Sequence, residues 1–227
     1  MFISDDFNLE PPHGAEIFAG CRFDVSAFEP ALFDQMNIMR PPEIEGAVGK
    51  RQAEYLAGRY LVQRGLAQLG MPEQPVGTGA HRQPLWPPDV SGAITHADGV
   101  AVVLMSSQPT ALVGVDVETV LDADMAATVA PQVLSNSEKE LLQAATGSAL
   151  ETLTAVFSAK ETLFKALFPL VGRYFGFEAA ILNATPEQRR ISLALTQDLS
   201  PGAPRGRVFD IAWRLHDGQV LTWLVEP

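Results

Sequence analysis

Phe157-Ser158-Ala159-Lys160-Glu161-Thr162-Leu163-Phe164-Lys165-Ala166-Leu167-Phe168-Pro169 reads as the second half of a long helix. Ser148 followed by Glu151 is a capping-box start, and Pro169 is the expected stop. At ~100° per residue, Leu153, Val156, Phe157, Leu163, Phe164 and Leu167 form one broad apolar stripe. Lys160 falls inside that stripe, and Glu161 and Lys165 lie together on its polar edge. Alone, the helix supports a bland reading. A Glu-to-Lys pair at this spacing contributes only ~0.2–0.5 kcal/mol on a surface, and a Lys in an apolar stripe can snorkel to water.

A second acidic cluster lies upstream. Gly114-Val115-Asp116-Val117-Glu118 follows the apolar run Ala111-Leu112-Val113 and reads as a buried strand. Strand period is two, so Asp116 and Glu118 point to one face and Val115 and Val117 to the other. Gly114 lies on the carboxylate face and leaves room beside the acids. Two carboxylates on one face repel unless a cation joins them. Mg²⁺, a hard cation, takes one or two carboxylates plus phosphate oxygens. The plain alternative is a strand end in water, where two acids cost little.

Composition narrows the classes. Hydrophobic residues make up 47% and charged residues 19% of 227 positions, an ordinary globular balance for one domain or two small ones. Cys21, the single cysteine, excludes an internal disulfide and suggests a reducing, cytoplasmic setting. Met1-Phe2-Ile3-Ser4-Asp5-Asp6 is acidic and is not expected to be a signal peptide. The longest apolar run is the short Val100–Met105, so no membrane span is expected. The net charge of −11 argues against nucleic acid as a partner. No Lys or Arg occurs between Gln83 and Glu138, so the cations form two groups that one cleft could collect.

In chain order, residues 1–15 read as a loose entry segment and Glu16–Phe23 as a first strand. Ser26 to Met39 holds room for a short helix, and Pro41-Pro42 breaks the chain. Val48 to Leu69 is a long helix with a stripe of Val48, Tyr55, Val62, Leu66 and Leu69. Arg59 lies in that stripe and needs an anionic partner, either an internal carboxylate or a ligand. Gly58 and Gly65 form a flank open to close approach. Gly77 to Val90 is turn-rich. Ser91–His96 and Val100–Met105 form a hairpin around Asp98-Gly99. Leu121 to Val133 is irregular or helical, and Ser135-x-x-Glu138 starts a helix. In Pro169 to Phe177, the groups Leu170, Arg173, Tyr174 and Phe175 either fold into the core or form a docking lip. Ala179–Asn183, Ile191–Thr196, Val208–Leu215 and Gln219–Val225 read as strands, the last two joined at Asp217-Gly218, with Trp213 and Trp223 expected in the core. Helices alternate with strands in no strict β-α-β order, so the expected class is α+β.

G-x-D-x-E, then about forty residues later F-S-A-K-E-x-x-x-K, resembles the 4'-phosphopantetheinyl transferase superfamily, within it the Sfp-type and enterobactin-synthetase-component group. Further matches are Lys50-Arg51-Gln52-Ala53-Glu54-Tyr55-Leu56-Ala57-Gly58-Arg59, Trp86-Pro87, Ile94-Thr95-His96-Ala97-Asp98 and Phe164-Lys165-Ala166-Leu167-Phe168-Pro169. The resemblance runs from about Lys50 to about Phe177. It implies two similar α/β halves related by a pseudo-twofold, residues 1–107 and 108–227, with the active site between them, and a monomer. The implied reaction transfers the 4'-phosphopantetheine arm of coenzyme A to a serine of an apo acyl, peptidyl or aryl carrier protein, releasing adenosine 3',5'-bisphosphate. Such carriers serve fatty acid, polyketide, non-ribosomal peptide or siderophore synthesis.

The resemblance also implies roles. Asp116, Glu118 and Glu161 would hold Mg²⁺, or Mn²⁺, against the diphosphate. Lys50, Arg51, Arg59 and Arg82 would lie near coenzyme phosphates, with Thr95 and His96 on phosphate or ribose. Lys160 and Lys165 would neutralise developing charge, and Lys165 would protonate the departing phosphate. Glu161 would be the base for the serine hydroxyl, with Asp116 beside it; a water-mediated or metal-assisted route stands as the alternative. Phe157 stands where many members have Trp, Thr162 where Ala or Ser is usual, and Thr95 where Ser is common. Two rival readings are another Mg²⁺-dependent phosphotransfer enzyme using the same acids and a non-catalytic binding domain, which would be expected to lack one of Asp116, Glu118, Glu161 or Lys165.

Overall fold

The computed structural model describes residues 1–72 and 74–227. The fold is α+β and divides into two compact units. The first comprises Met1–Ala111 with Val225–Pro227, and the second Leu112–Leu224.

The first unit opens with β1 (Ile3–Asn8) and β2 (Ile17–Phe23), then short helices α1 (Leu32–Gln35) and α2 (Pro42–Glu45). The long α3 (Gly49–Gln68) follows, then the small ribbon of β3 (Gly77–Thr78) and β4 (Pro84–Leu85), and β5 (Ser91–Ala97) and β6 (Val100–Ser106). The four longer strands form a sheet in the order β1-β2-β6-β5, every neighbour antiparallel. Leu56, Leu61 and Val62 of α3 share a core with Ala101, Val103 and Met105 of β6 and with Ile17 and Cys21 of β2. The β5–β6 turn is Asp98-Gly99 with both φ positive, at 40° and 80°, the Asp-Gly chemistry of a tight hairpin.

Three expectations change here. The entry segment contains a real edge strand, β1, whose alternation is hidden because Ser4, Asp5 and Asp6 are all exposed. Pro42 opens α2 at its first turn, where a missing N–H costs nothing. Val48 is the N-cap of α3, 74% exposed, and does not join the apolar stripe.

The second unit runs β7 (Leu112–Thr119), α4 (Ala123–Val133), α5 (Asn136–Gln143), α6 (Ala149–Val171), β8 (Ala180–Leu182), β9 (Arg190–Leu195), β10 (Val208–His216) and β11 (Gln219–Glu226). Its sheet has the order β7-β11-β10-β9-β8. Helix α6 lies on that sheet, with Val156, Leu163 and Leu167 in a core shared with Ile191, Leu193, Ile211 and Leu224. Ser148 caps α6, accepting from the Glu151 N–H at 3.5 Å. Pro169 does not stop the helix. It sits in the last turn, where little remains to be broken, and the end comes at Gly172 with φ 69°. Trp213 and Trp223 are half-buried rather than core.

Gly114 explains how closely helix and strand meet. A Cβ there would lie 2.2 Å from the Thr162 carbonyl oxygen and 3.1 Å from the Ala166 Cβ. The space beside the acids that the sequence suggested is filled by the α6 backbone. This approach brings the Asp116 strand and the Glu161 helix together.

Candidate active site

In the second unit, Asp116 is 3% exposed and both its oxygens are engaged. Lys165 Nζ donates to Oδ1 at 2.6 Å and to the Val115 carbonyl at 3.2 Å. Ser158 Oγ donates to Oδ2 at 2.7 Å. Glu161, on α6 between those two donors in sequence, is half-buried. Burial raises its carboxyl above the ordinary carboxylate range; Lys165 works against that rise and Asp116 adds to it. Glu118, also half-buried, lies two residues along β7 on the Asp116 face. β7 and α6 thus bring Asp116, Glu161 and Lys165 into one electrostatic neighbourhood.

The donor chemistry suits a hard divalent cation: carboxylates from two elements, one destabilised by another's charge. Among the described residues, no three such groups are gathered closely enough to hold a metal as they stand. Lys165 occupies Oδ1 of Asp116.

Lys160 departs from the sequence expectation. Its side chain is 2% exposed, and Nζ lies 2.7 Å from Glu138 Oε1 and 2.7 Å from the Val133 carbonyl. It neither snorkels nor turns outward. Glu138 also accepts from the N–H groups of Ser135 at 2.8 Å and Leu182 at 3.0 Å. Burial raises the Glu138 pKa, but Lys160 and these N–H donors outweigh it, so the carboxyl lies below its ordinary value. The capping box expected at Ser135 and Glu138 is present, and the pair ties α4, α5, α6 and β8 together.

In the first unit, Arg51, Arg59, Arg82 and His96 line one pocket of about 270 Å³ with Glu54, Tyr55 and Thr78. Arg51 Nη1 is 2.9 Å from His96 Nε2. Glu54, which the sequence reading did not single out, lies 3.7 Å from both Arg51 and His96 and 4.0 Å from Lys50. Its position three and four residues beyond Arg51 and Lys50 was the available signal. Lys50 is otherwise exposed and is not part of the pocket lining.

Arg59 is 9% exposed; it donates to the Gly77 carbonyl at 3.1 Å and to Thr78 Oγ1 at 3.2 Å and stacks on Tyr55 at 4.8 Å. Its Nε has no hydrogen-bond partner among the described residues, an arrangement suited to a further anion. Arg82 has φ 66°, unusual for a side chain this large, and the β3–β4 turn holds it there with an N–H bond to the Gly79 carbonyl at 2.9 Å. Thr95 is buried and does not line the pocket, whereas its strand neighbours Ile94 and His96 do. Period two turns its side chain to the opposite face from His96.

The lip at the end of α6 divides. Phe175 is core and stacks on Phe164 at 5.0 Å, while Tyr174 is 72% exposed and Leu170 and Arg173 stand in water. No helix among the described residues is long and apolar enough to cross a membrane.

Residues 40–106 match the model of the 4'-phosphopantetheinyl transferase N-terminal domain, and residues 112–222 match that of the 4'-phosphopantetheinyl transferase superfamily. Enterobactin synthase component D of Salmonella typhi is 36% identical over 174 residues, covering 74% of this chain and 72% of that protein. The 4'-phosphopantetheinyl transferase Npt of Nocardia iowensis is 31% identical over 79% of this chain and 84% of its own length. Svp of Streptomyces mobaraensis, also a 4'-phosphopantetheinyl transferase, is 31% identical over 86% and 82%.

Proposed function

The chain belongs to the 4'-phosphopantetheinyl transferase superfamily, and on that premise we propose how its residues divide the work of moving phosphopantetheine from coenzyme A to a carrier-protein serine. The first unit supplies the coenzyme's anion contacts. Arg51, Arg82 and His96 face one pocket, and Arg59 offers a buried N–H without a partner. Glu54 keeps Arg51 and His96 in orientation. Lys50 adds charge at the edge, and Thr95 supports the strand rather than touching ligand through its side chain.

The second unit supplies the reacting groups. The serine oxygen forms a bond to phosphorus as the diphosphate bond breaks, and adenosine 3',5'-bisphosphate leaves. Such transfers depend on positioning and charge neutralisation. Glu161, half-buried beside Lys165 and Asp116, takes the serine proton directly or through a water. Lys165 holds Asp116 until the diphosphate arrives and then gives charge, or a proton, to the departing phosphate. Asp116, Glu118 and Glu161 would hold Mg²⁺, or Mn²⁺, which when bound supplies Lewis-acid neutralisation of the diphosphate oxygens. Lys160 acts from within the fold through Glu138. Tyr174, Leu170 and Arg173 offer an apolar and basic lip that suits an acidic carrier. The single cysteine, buried and free, suits a cytoplasmic enzyme.

The observation that carries this reading is the division of Asp116 between Lys165 and Ser158, with Glu161 beside them. The test is the intact mass of an apo carrier protein after incubation with enzyme, coenzyme A and Mg²⁺. A metal-dependent gain of one phosphopantetheine is expected, lost in Glu161→Gln and Lys165→Ala while coenzyme affinity holds. Variants that lose affinity but keep turnover would overturn these roles.

A further inference from the structure

Behind Asp116 lies a row of hydroxyls. Ser158 and Thr162 are four apart on α6, and Thr222 is on β11, the sheet neighbour of β7. All three are fully buried. Thr162 Oγ1 is 2.6 Å from Thr222 Oγ1, Thr222 Oγ1 is 2.9 Å from Ser158 Oγ, and Ser158 Oγ is 2.7 Å from Asp116 Oδ2.

Each hydroxyl has one proton, and that sets the direction of the row. The Asp116 carboxylate, paired with Lys165, only accepts, so Ser158 gives its proton to Oδ2. Ser158 then accepts from Thr222, and Thr222 from Thr162, whose proton has the Thr222 Oγ1 at 2.6 Å as its nearer acceptor and the Thr222 carbonyl oxygen at 3.3 Å as its farther one. Every donor points toward the carboxylate, and such chains strengthen each bond in turn. Apolar side chains of the same size would fill this interior without the cost of burying three hydroxyls.

We infer that Thr162, Thr222 and Ser158 form a one-way hydroxyl relay that positions the Asp116 carboxylate for its ligand. Oδ2 is tied to α6 directly and to β11 through Thr222, while Oδ1 accepts from Lys165. The three are positioning residues. The inference rests on the reading of Asp116 as a site carboxylate and extends it to two elements, α6 and β11, acting together.

Partners behind a metal-binding group typically change metal affinity or activity by ~10–100-fold when removed. The test compares Thr222→Val, which keeps the shape and removes the hydroxyl, with Thr222→Ser, which keeps the hydroxyl. Ser158→Ala and Thr162→Val accompany them. Two readouts are taken: Mn²⁺ binding to the free enzyme by electron paramagnetic resonance, and kcat and KM for coenzyme A. Thr222→Val is expected to weaken Mn²⁺ binding and lower kcat by ~10-fold with KM within about twofold. Ser158→Ala should lose more, Thr162→Val less, and Thr222→Ser should match the wild type. Wild-type Mn²⁺ binding and kcat in Thr222→Val would overturn the inference, as would equal losses in Thr222→Val and Thr222→Ser, which would mark a packing role. Asp116→Asn separates the underlying reading. If it leaves Mn²⁺ binding intact, the site assignment itself fails, and the relay with it.

Discussion

Replacing Lys160 by Met separates two roles for this lysine. If its ammonium serves coenzyme phosphate, Lys160→Met weakens coenzyme binding. If it serves Glu138, the loss appears first in stability. Both side chains are 2% exposed and 2.7 Å apart, so removing one strands the other. Breaking a buried pair costs ~3–5 kcal/mol. Glu138 retains the N–H groups of Ser135 and Leu182, which argues for the lower end, about 3 kcal/mol. For a chain of this length that corresponds to a fall of about 6–12 °C in Tm. Ser135 and Leu182 donate to different oxygens of Glu138, so Glu138→Gln keeps an acceptor for only one of those N–H groups, and it leaves Lys160 on the Val133 carbonyl at 2.7 Å and the Phe177 carbonyl at 3.4 Å. The double variant removes both charges, and uncharged replacements of buried pairs are often neutral. Its loss should therefore fall short of the summed single losses by about 2 kcal/mol. Urea denaturation of the four proteins, with coenzyme A binding by calorimetry, measures both effects. A stability loss below about 1 kcal/mol in Lys160→Met, together with a tenfold rise in coenzyme Kd, would refute the structural role.

Three further outcomes follow from particular contacts. Gly114→Ala places a Cβ against the Thr162 carbonyl, so α6 must move; a stability loss of ~1–3 kcal/mol and a lower kcat are expected, and a wild-type urea midpoint would mean the approach is looser than described. The Glu138 pKa is depressed in the folded state, so its contribution is present above the ordinary carboxylate value of ~4.3 and is lost as pH falls through the lower folded value; Tm-against-pH curves of wild type and Glu138→Gln should converge only below that point, and a constant gap would contradict the assignment. Arg82→Gly relieves a left-handed backbone position and should hold or raise stability by ~0.5–1 kcal/mol while coenzyme Kd rises several-fold; a destabilised variant would show that the turn needs the Arg side chain.

Much of this site was legible along the chain because its periods are local. A strand period puts Asp116 and Glu118 on one face, and a helix period puts Glu161 and Lys165 on one edge. The hairpin turns at Asp98-Gly99 and Asp217-Gly218, and the caps at Ser135 and Ser148, are equally local, since the groups that satisfy one another lie within a few residues. Motif order along residues 50–177 pointed to the family for the same reason.

What required tertiary structure were the partners of buried groups. The helix period puts Lys160 inside the apolar stripe but names no partner for it, and only the packing of α5 against α6 supplies Glu138, twenty-two residues upstream. The strand period alone puts Thr95 and His96 on opposite faces, but that the His96 face lines the pocket and the Thr95 face is buried is set by packing. Gly114 reads as open space until α6 fills it. Thr222 carries no sequence signal, because its meaning comes from β11 lying beside β7, a pairing across about a hundred residues. Backbone periodicity makes the faces of each element readable from sequence, but which face meets which is set by long-range burial, and that is where a buried charge or hydroxyl finds its partner.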